Sequence, residues 1–210
     1  MKKKKLGSKG FKFLRTVLGP IFKFYYNPKV YNKEVIPKEG PIIIAGNHKH
    51  LMDQCSVIVS TKRVIHYMAK KEYFDSKKTK WFFTLAGCIP VDRSIHDENA
   101  KNAALEVLEE GNAIGIFPEG TRNKTNKFLL PFKFGAVSMA KKTNATIVPF
   151  GVSGDYKFRS KNLEIHFGTP FKVGDMTLEE ANKKLEKEIG KLMKKIKVSN
   201  KTIVKNYIIW

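Results

Sequence analysis

A chain of 210 residues, 42% hydrophobic, is long enough for one domain with a sizeable core. Its two cysteines, Cys55 and Cys88, exclude a disulfide framework and show no metal-ligand spacing, which points to a reducing compartment. A formal charge of +21, from 40 Lys and Arg against 19 Asp and Glu, excludes indifference to polyanions: nucleic acid, anionic lipid and acidic proteins are all candidate partners.

Residues 1–30 read as a unit of their own. Met1 to Lys33 holds ten basic residues and no acid. Phe11, Leu14, Leu18, Ile21, Phe22 and Tyr25 recur at helical spacing between Lys12, Arg15 and Lys23, the pattern of an interfacial helix. Gly19-Pro20 is expected to bend it. Each Lys or Arg held near an anionic leaflet contributes about 1 kcal/mol, enough in sum to dock the chain on a membrane. A core-packing helix behind a solvated lysine tail is the alternative. No run reaches the roughly 18 uncharged apolar residues of a spanning helix, and no cleavable signal follows the lysines.

Residues 31–210 alternate short apolar runs with helix-like segments. Strands are expected at 42–45, 64–69, 88–91, 113–117, 146–152 and 163–168; helices are expected near 50–60, 76–86, 97–110, 133–142 and 177–197. This alternation predicts an α/β fold with a mixed, largely parallel sheet covered by helices on both faces. The last two strands are expected to be antiparallel neighbours, and the final helix to pack on the sheet through Leu178, Leu185, Leu192 and Ile196. The tail Ile203, Val204, Tyr207, Ile208, Ile209 and Trp210 either joins the membrane surface or covers the core.

Three polar clusters follow three of these strands: Asn47 and His48 with Asp53, then Asp92-Arg93, then Glu119-Gly120-Thr121-Arg122. Ligands of open α/β sheets bind beyond the carboxyl ends of the strands, so the three clusters are expected on one rim. In "GNHKHLMDQC" (46–55), His48 and His50 have the spacing of a metal pair, but no nearby Cys or Glu completes a set. Proton transfer suits the stretch better. Five helical steps of about 100° would leave His48 and Asp53 on different faces, but they meet if His48 lies in the loop before the helix. Asp53 then holds one ring nitrogen and leaves the other as a base, with a substrate hydroxyl as nucleophile. Taken alone, a His with a nearby Asp is most often a surface or capping pair, and this stretch by itself does not outweigh that reading.

"GCIPVDR" (87–93) and "FPEGTRN" (117–123) each end in an arginine whose fork of donors suits phosphate oxygens. Glu119 repels phosphate and is expected to bond a substrate hydroxyl or orient an arginine, while Gly120 lets backbone amides approach. Asp92-Arg93 as a structural ion pair and Pro118-Glu119-Gly120 as a plain turn are the alternatives.

In this order the stretches resemble the glycerolipid acyltransferase superfamily, in particular the bacterial 1-acylglycerol-3-phosphate acyltransferases, over residues 35–170. "IPKEGPIIIAGNH" leads into the family's His-x4-Asp block; "GCIPVDR" is similar to its second, "FPEGTR" to its third and "IVPFGVSG" to its fourth. "PFKFGAV" and "IHFGTPF" also sit where such enzymes carry similar phrases. The chain departs at His50, where the family commonly has Ser, which alters the local hydrogen bonding.

The resemblance implies transfer of a fatty acyl group from acyl-CoA or acyl carrier protein to the sn-2 hydroxyl of lysophosphatidic acid. It needs no cofactor beyond that co-substrate. His48 and Asp53 would be catalytic; Arg93, Glu119, Gly120, Thr121 and Arg122 would bind the phosphate, with Asn47 and His50 supporting. Backbone amides of residues 47–50 are the expected oxyanion donors. Anionic membrane is the expected partner surface and the cytoplasmic face of the cell membrane the expected place. Deletion of residues 1–26 should release the chain from vesicles and leave the pocket residues in place. Nucleic-acid binding, suggested by charge alone, lacks a recognisable reading platform and is not expected. A metallohydrolase would be silenced by chelator and the acyltransferase would not.

Overall fold

The computed structural model describes residues 8–95 and 97–206, with side chains described through Lys194. Along the chain run α1 (Ser8–Tyr26), β1 (Lys29–Tyr31), β2 (Ile42–Gly46), α2 (Asp53–Ile58), β3 (Ile65–Lys70), α3 (Glu72–Asp75) and α4 (Lys77–Leu85). Then come β4 (Ile89–Val91), α5 (Glu98–Glu109), β5 (Ala113–Ile116), α6 (Gly135–Thr143), β6 (Thr146–Ser153), β7 (Glu164–Phe167) and α7 (Leu178–Asn206). The strands form a seven-stranded sheet in the order β1-β7-β6-β2-β5-β3-β4. Neighbours are parallel except β6 and β7, so the expected α/β architecture and the expected antiparallel pair both hold.

The central strand shows why the sequence folds this way. All five residues of β2 are buried, as a strand covered on both faces must be, and its run of isoleucines has no polar alternation. Ile43 and Ala45 enter the core under α5, α6 and α7, with Ala104, Val137 and Leu185. Ile42 and Ile44 enter the opposite core, with Val57 of α2 and Phe11 of α1. Leu192 also packs inside, whereas Ile196 and the tail from Ile203 to Trp210 lie outside the residues whose side chains are described.

Several elements differ from expectation, among them α7, which runs to Asn206 instead of ending near 197. β1 was not anticipated: three residues between Asn27-Pro28 and Asn32 carry no periodicity, and their partner β7 lies far along the chain. The short α3 was likewise missed. α2 is shorter than the expected 50–60 because the amides of Lys49 and His50 bond the Asp53 carboxylate instead of continuing a helix backwards.

α1 continues through Pro20, held on both sides of it by buried Phe11 and Phe22. Arg15 turns inward, donating to the carbonyls of Thr61 and Arg63, and so does not face solvent as part of a basic stripe. Of the expected apolar stripe, Phe11, Leu14 and Phe22 face the body of the protein and Ile21, though 60% exposed, lines a cavity with them; Phe13 (63% exposed) and Phe24 (65%), which are not part of that stripe, face outward. Among the described residues no helix is long and apolar enough to cross a membrane. Lys2 to Lys5 lie outside the described residues.

Candidate active site

Because β2, β3, β4, β5 and β6 run parallel, their carboxyl ends gather at one edge of the sheet. His48 lies two residues beyond β2 and Asp53 opens α2. The Oδ2 atom of Asp53 accepts from His48 Nδ1 at 2.9 Å and from the amides of Lys49 and His50 at 2.7 and 2.8 Å. A carboxylate only accepts, so Nδ1 carries a proton, and in the neutral ring the lone pair is on Nε2. Asp53 is 1% exposed, and the His48 ring lines the adjoining cavity.

The "FPEGTRN" turn holds His48 from the other side. Its backbone N–H donates to Glu119 Oε1 at 2.8 Å, and its carbonyl accepts from the Asn123 amide at 2.7 Å. Its ring stacks on Phe117 with centroids 3.9 Å apart. Glu119 Oε2 accepts from the Leu130 amide at 2.8 Å, so both oxygens of this buried carboxylate are occupied by backbone. Among the described residues no hydrogen bond or ion pair joins it to an arginine; these two bonds join the turn to the histidine loop. Phe117 and Asn123 were within the quoted stretch but unassigned, because which of its residues would touch His48 depends on the β2 and β5 pairing.

Asn47 pairs through both ends of its amide with the backbone of Val152, fixing the end of β2 to β6. Gly46 is needed just before it, since a Cβ there would come within 2.5 Å of the Phe150 ring. Three of the four expected oxyanion donors are already engaged. The amides of His48, Lys49 and His50 are all taken by Glu119 or Asp53, so none of the three points freely at a substrate.

The cavity of about 1430 Å³ has two chemical characters. α1, α2 and α4 contribute apolar side chains, among them Leu14, Phe22, Ile58 and Phe83. The strand ends contribute Arg93, Gly120, Thr121 and Arg122 beside His48, as the spacing predicted. No hydrogen bond or ion pair among the described residues ties down either guanidinium. Asp92 instead meets Lys71 at 3.9 Å and accepts from Ser94, so the anticipated alternative of an Asp92–Arg93 pair is not formed. Lys70 and Lys133 also line the cavity and were missed. Lys70 closes β3 by a single residue beyond the expected strand. Lys133 lies across Gly120, whose φ of +69° and missing Cβ leave it room.

Tyr156, beyond β6, was also missed. Its hydroxyl donates to Asp53 Oδ1 at 2.9 Å and lies 2.8 Å from Ser56 Oγ, and its ring stacks on His50 at 4.3 Å. Among the described residues no three His, Cys, Asp or Glu side chains converge as a metal cage would require.

Cys55 and Cys88 both line the cavity. Burial pushes each thiol up to about 11, and for Cys55 the charge of Asp53 adds to it. Neither is a nucleophile at neutral pH. Alkylation of either thiol at pH 7.5 is expected to be about 10²-fold slower than at an ordinary exposed cysteine, rising as pH approaches that value. Labelling followed by mass spectrometry checks this; rapid modification at pH 7.5 would contradict it.

Residues 27–153 match the acyltransferase family. The chain is 31% identical over 192 residues to the 1-acyl-sn-glycerol-3-phosphate acyltransferase of Bacillus subtilis, covering 89% of this chain and 95% of that one. It belongs to the 1-acyl-sn-glycerol-3-phosphate acyltransferase family. The relative in Borreliella burgdorferi, of the same name, is 35% identical over 141 residues, spanning 66% of this chain and 56% of its own. The crystal structure of the 1-acyl-sn-glycerophosphate acyltransferase from Thermotoga maritima superposes with a TM-score of 0.72 at 23% identity, over 90% of this chain and 79% of that one. That likeness establishes a shared fold. Within this acyltransferase the His50 departure acquires a physical setting: its ring covers the face of Tyr156.

Proposed function

We propose that this acyltransferase moves a fatty acyl group from a coenzyme A or acyl carrier protein thioester to the sn-2 hydroxyl of 1-acylglycerol 3-phosphate, giving phosphatidic acid. One observation carries the reading: a histidine with Nδ1 committed to a buried carboxylate shares a cavity with an apolar lining and two arginines that no hydrogen bond or ion pair among the described residues ties down.

His48 Nε2 takes the hydroxyl proton as the oxygen attacks the thioester carbon. The tetrahedral intermediate collapses, the carbon–sulfur bond breaks, and the departing thiolate takes the proton back from His48. Asp53 holds the ring and stabilises the imidazolium. Arg93, Gly120, Thr121 and Arg122 hold the phosphate, and Glu119 fixes the turn that presents the last three. The apolar side chains of α1, α2 and α4 receive fatty chains.

Residues 31–210 act as the acyltransferase domain and residues 1–30 as the docking segment, which seats on the anionic cytoplasmic face of the cell membrane. The basic surface and the outward apolar side chains of α1 support this.

The test mixes purified protein, lysophosphatidate and a phosphate-free acyl thioester and follows thiol release. With Arg93→Ala/Arg122→Ala, KM for lysophosphatidate is expected to rise about 10²-fold, since two charge-assisted bonds to phosphate are lost. KM for the thioester should stay within about twofold. An unchanged KM for lysophosphatidate would move the phosphate elsewhere.

A further inference from the structure

We propose that Tyr156 is a positioning residue of this site, locking the Asp53 carboxylate in the one orientation that keeps His48 a base. The proposal rests on the acyl-transfer reading above.

The two oxygens of Asp53 live in different surroundings. Oδ2 gathers His48 Nδ1 and the amides of Lys49 and His50, whereas Oδ1 meets the Tyr156 hydroxyl at 2.9 Å. At 1% exposure, Asp53 has little access to water as a replacement partner. Rotation of the carboxylate would carry Oδ2 away from the imidazole, and the phenol on Oδ1 opposes that rotation. The proton direction is settled by chemistry. Asp53 as a carboxylate cannot donate, so the single Tyr156 proton goes to it, and Ser56 Oγ, 2.8 Å away, must donate to the phenol oxygen.

Tyr156 is itself held. Its ring lies between His50, stacked at 4.3 Å, and Tyr26 of α1, edge-on at 5.4 Å. Its loop is pinned by Asp155 and Asn162, whose side chains and backbone bond each other at 3.2 and 3.3 Å. Burial first, then the charge of Asp53, drives the phenol far above its ordinary range. It therefore remains a donor throughout the working pH range. His50, which stands where the family commonly has Ser, is the residue that covers Tyr156, so the departure and the phenol form one arrangement.

The test is Tyr156→Phe in the full chain, which removes one oxygen and keeps the ring. We expect kcat to fall about 10- to 100-fold with both KM values within about twofold, because substrate contacts are untouched while the base is misaligned. In an Asp53→Asn background the same change should cost nothing further, since its effect travels through that carboxylate. In the proton NMR spectrum the His48 Nδ1 proton should broaden in Tyr156→Phe and stay sharp in the parent. Turnover equal to the parent, an equal loss in the Asp53→Asn background, or an unchanged Nδ1 resonance would each overturn the proposal. A parent protein that releases no thiol, or a His48→Ala variant that still does, would instead overturn the acyl-transfer reading.

Discussion

His48→Ala should lower kcat for acyl transfer by about 10² to 10⁴-fold, the usual worth of a positioned general base, with KM for lysophosphatidate changed by no more than about threefold. The loss falls on kcat because the ring touches the reacting hydroxyl and not the phosphate, which the proposed arginines hold from separate strands. Asp53→Asn should approach the same loss by a different route. Lys49 and His50 amides require an acceptor and Tyr156 requires another, so the asparagine NH2 has no proper place on either side. Where it faces His48 it donates to Nδ1 and forces the ring proton onto Nε2, the position that must be bare. Steady-state thiol release for the parent and both variants measures all of this. An alanine variant with parental kcat would eliminate His48 as the base.

Replacing Phe13 and Phe24 by Ser should detach the protein from anionic vesicles, with a fall in partitioning of about 10²-fold. Each of these side chains, 63% and 65% exposed, has apolar surface to bury in lipid and lies outside the cavity lining. Full burial of such a side chain contributes about 1.5–3 kcal/mol, so even partial insertion of two reaches that factor. The substitution is a cleaner test than removing residues 1–26, because α1 also builds the site. Phe11 and Phe22 belong to the buried surface, Arg15 bonds the carbonyls after α2, and Leu14 lines the cavity. Truncation would open the cavity as well as weaken docking, so the expectation that it would leave the pocket intact does not survive the structure. The serine variant keeps the inward face, and turnover of soluble short-chain substrates should stay within about twofold. Co-sedimentation at low and high salt separates the apolar contribution from the screened lysine contribution. Undiminished pelleting would show that α1 does not dock the protein through this face.

The sequence by itself determined the chemistry whose partners lie close together along the chain. The run from Ile42 to Ala45 had to be a strand buried on both faces, and alternation with helical segments made the sheet largely parallel. Parallel strands gather their carboxyl ends, which is why His48, Arg93 and Arg122 could be assigned to one cavity from spacing alone. His48 and Asp53 could be paired because a loop of four residues leaves them few other arrangements. Only the tertiary structure decided which distant groups complete that pair. Tyr156 reaches Asp53 across 103 positions, and Glu119 reaches the His48 amide across 71. Spacing over such lengths carries no information about which side chains meet, since that depends on strand order and register. The same holds for α1, where periodicity revealed an apolar helix but not which side faces inward. Burial against a particular neighbour made that choice, sending Phe11 and Phe22 into the protein and leaving Phe13 and Phe24 outside.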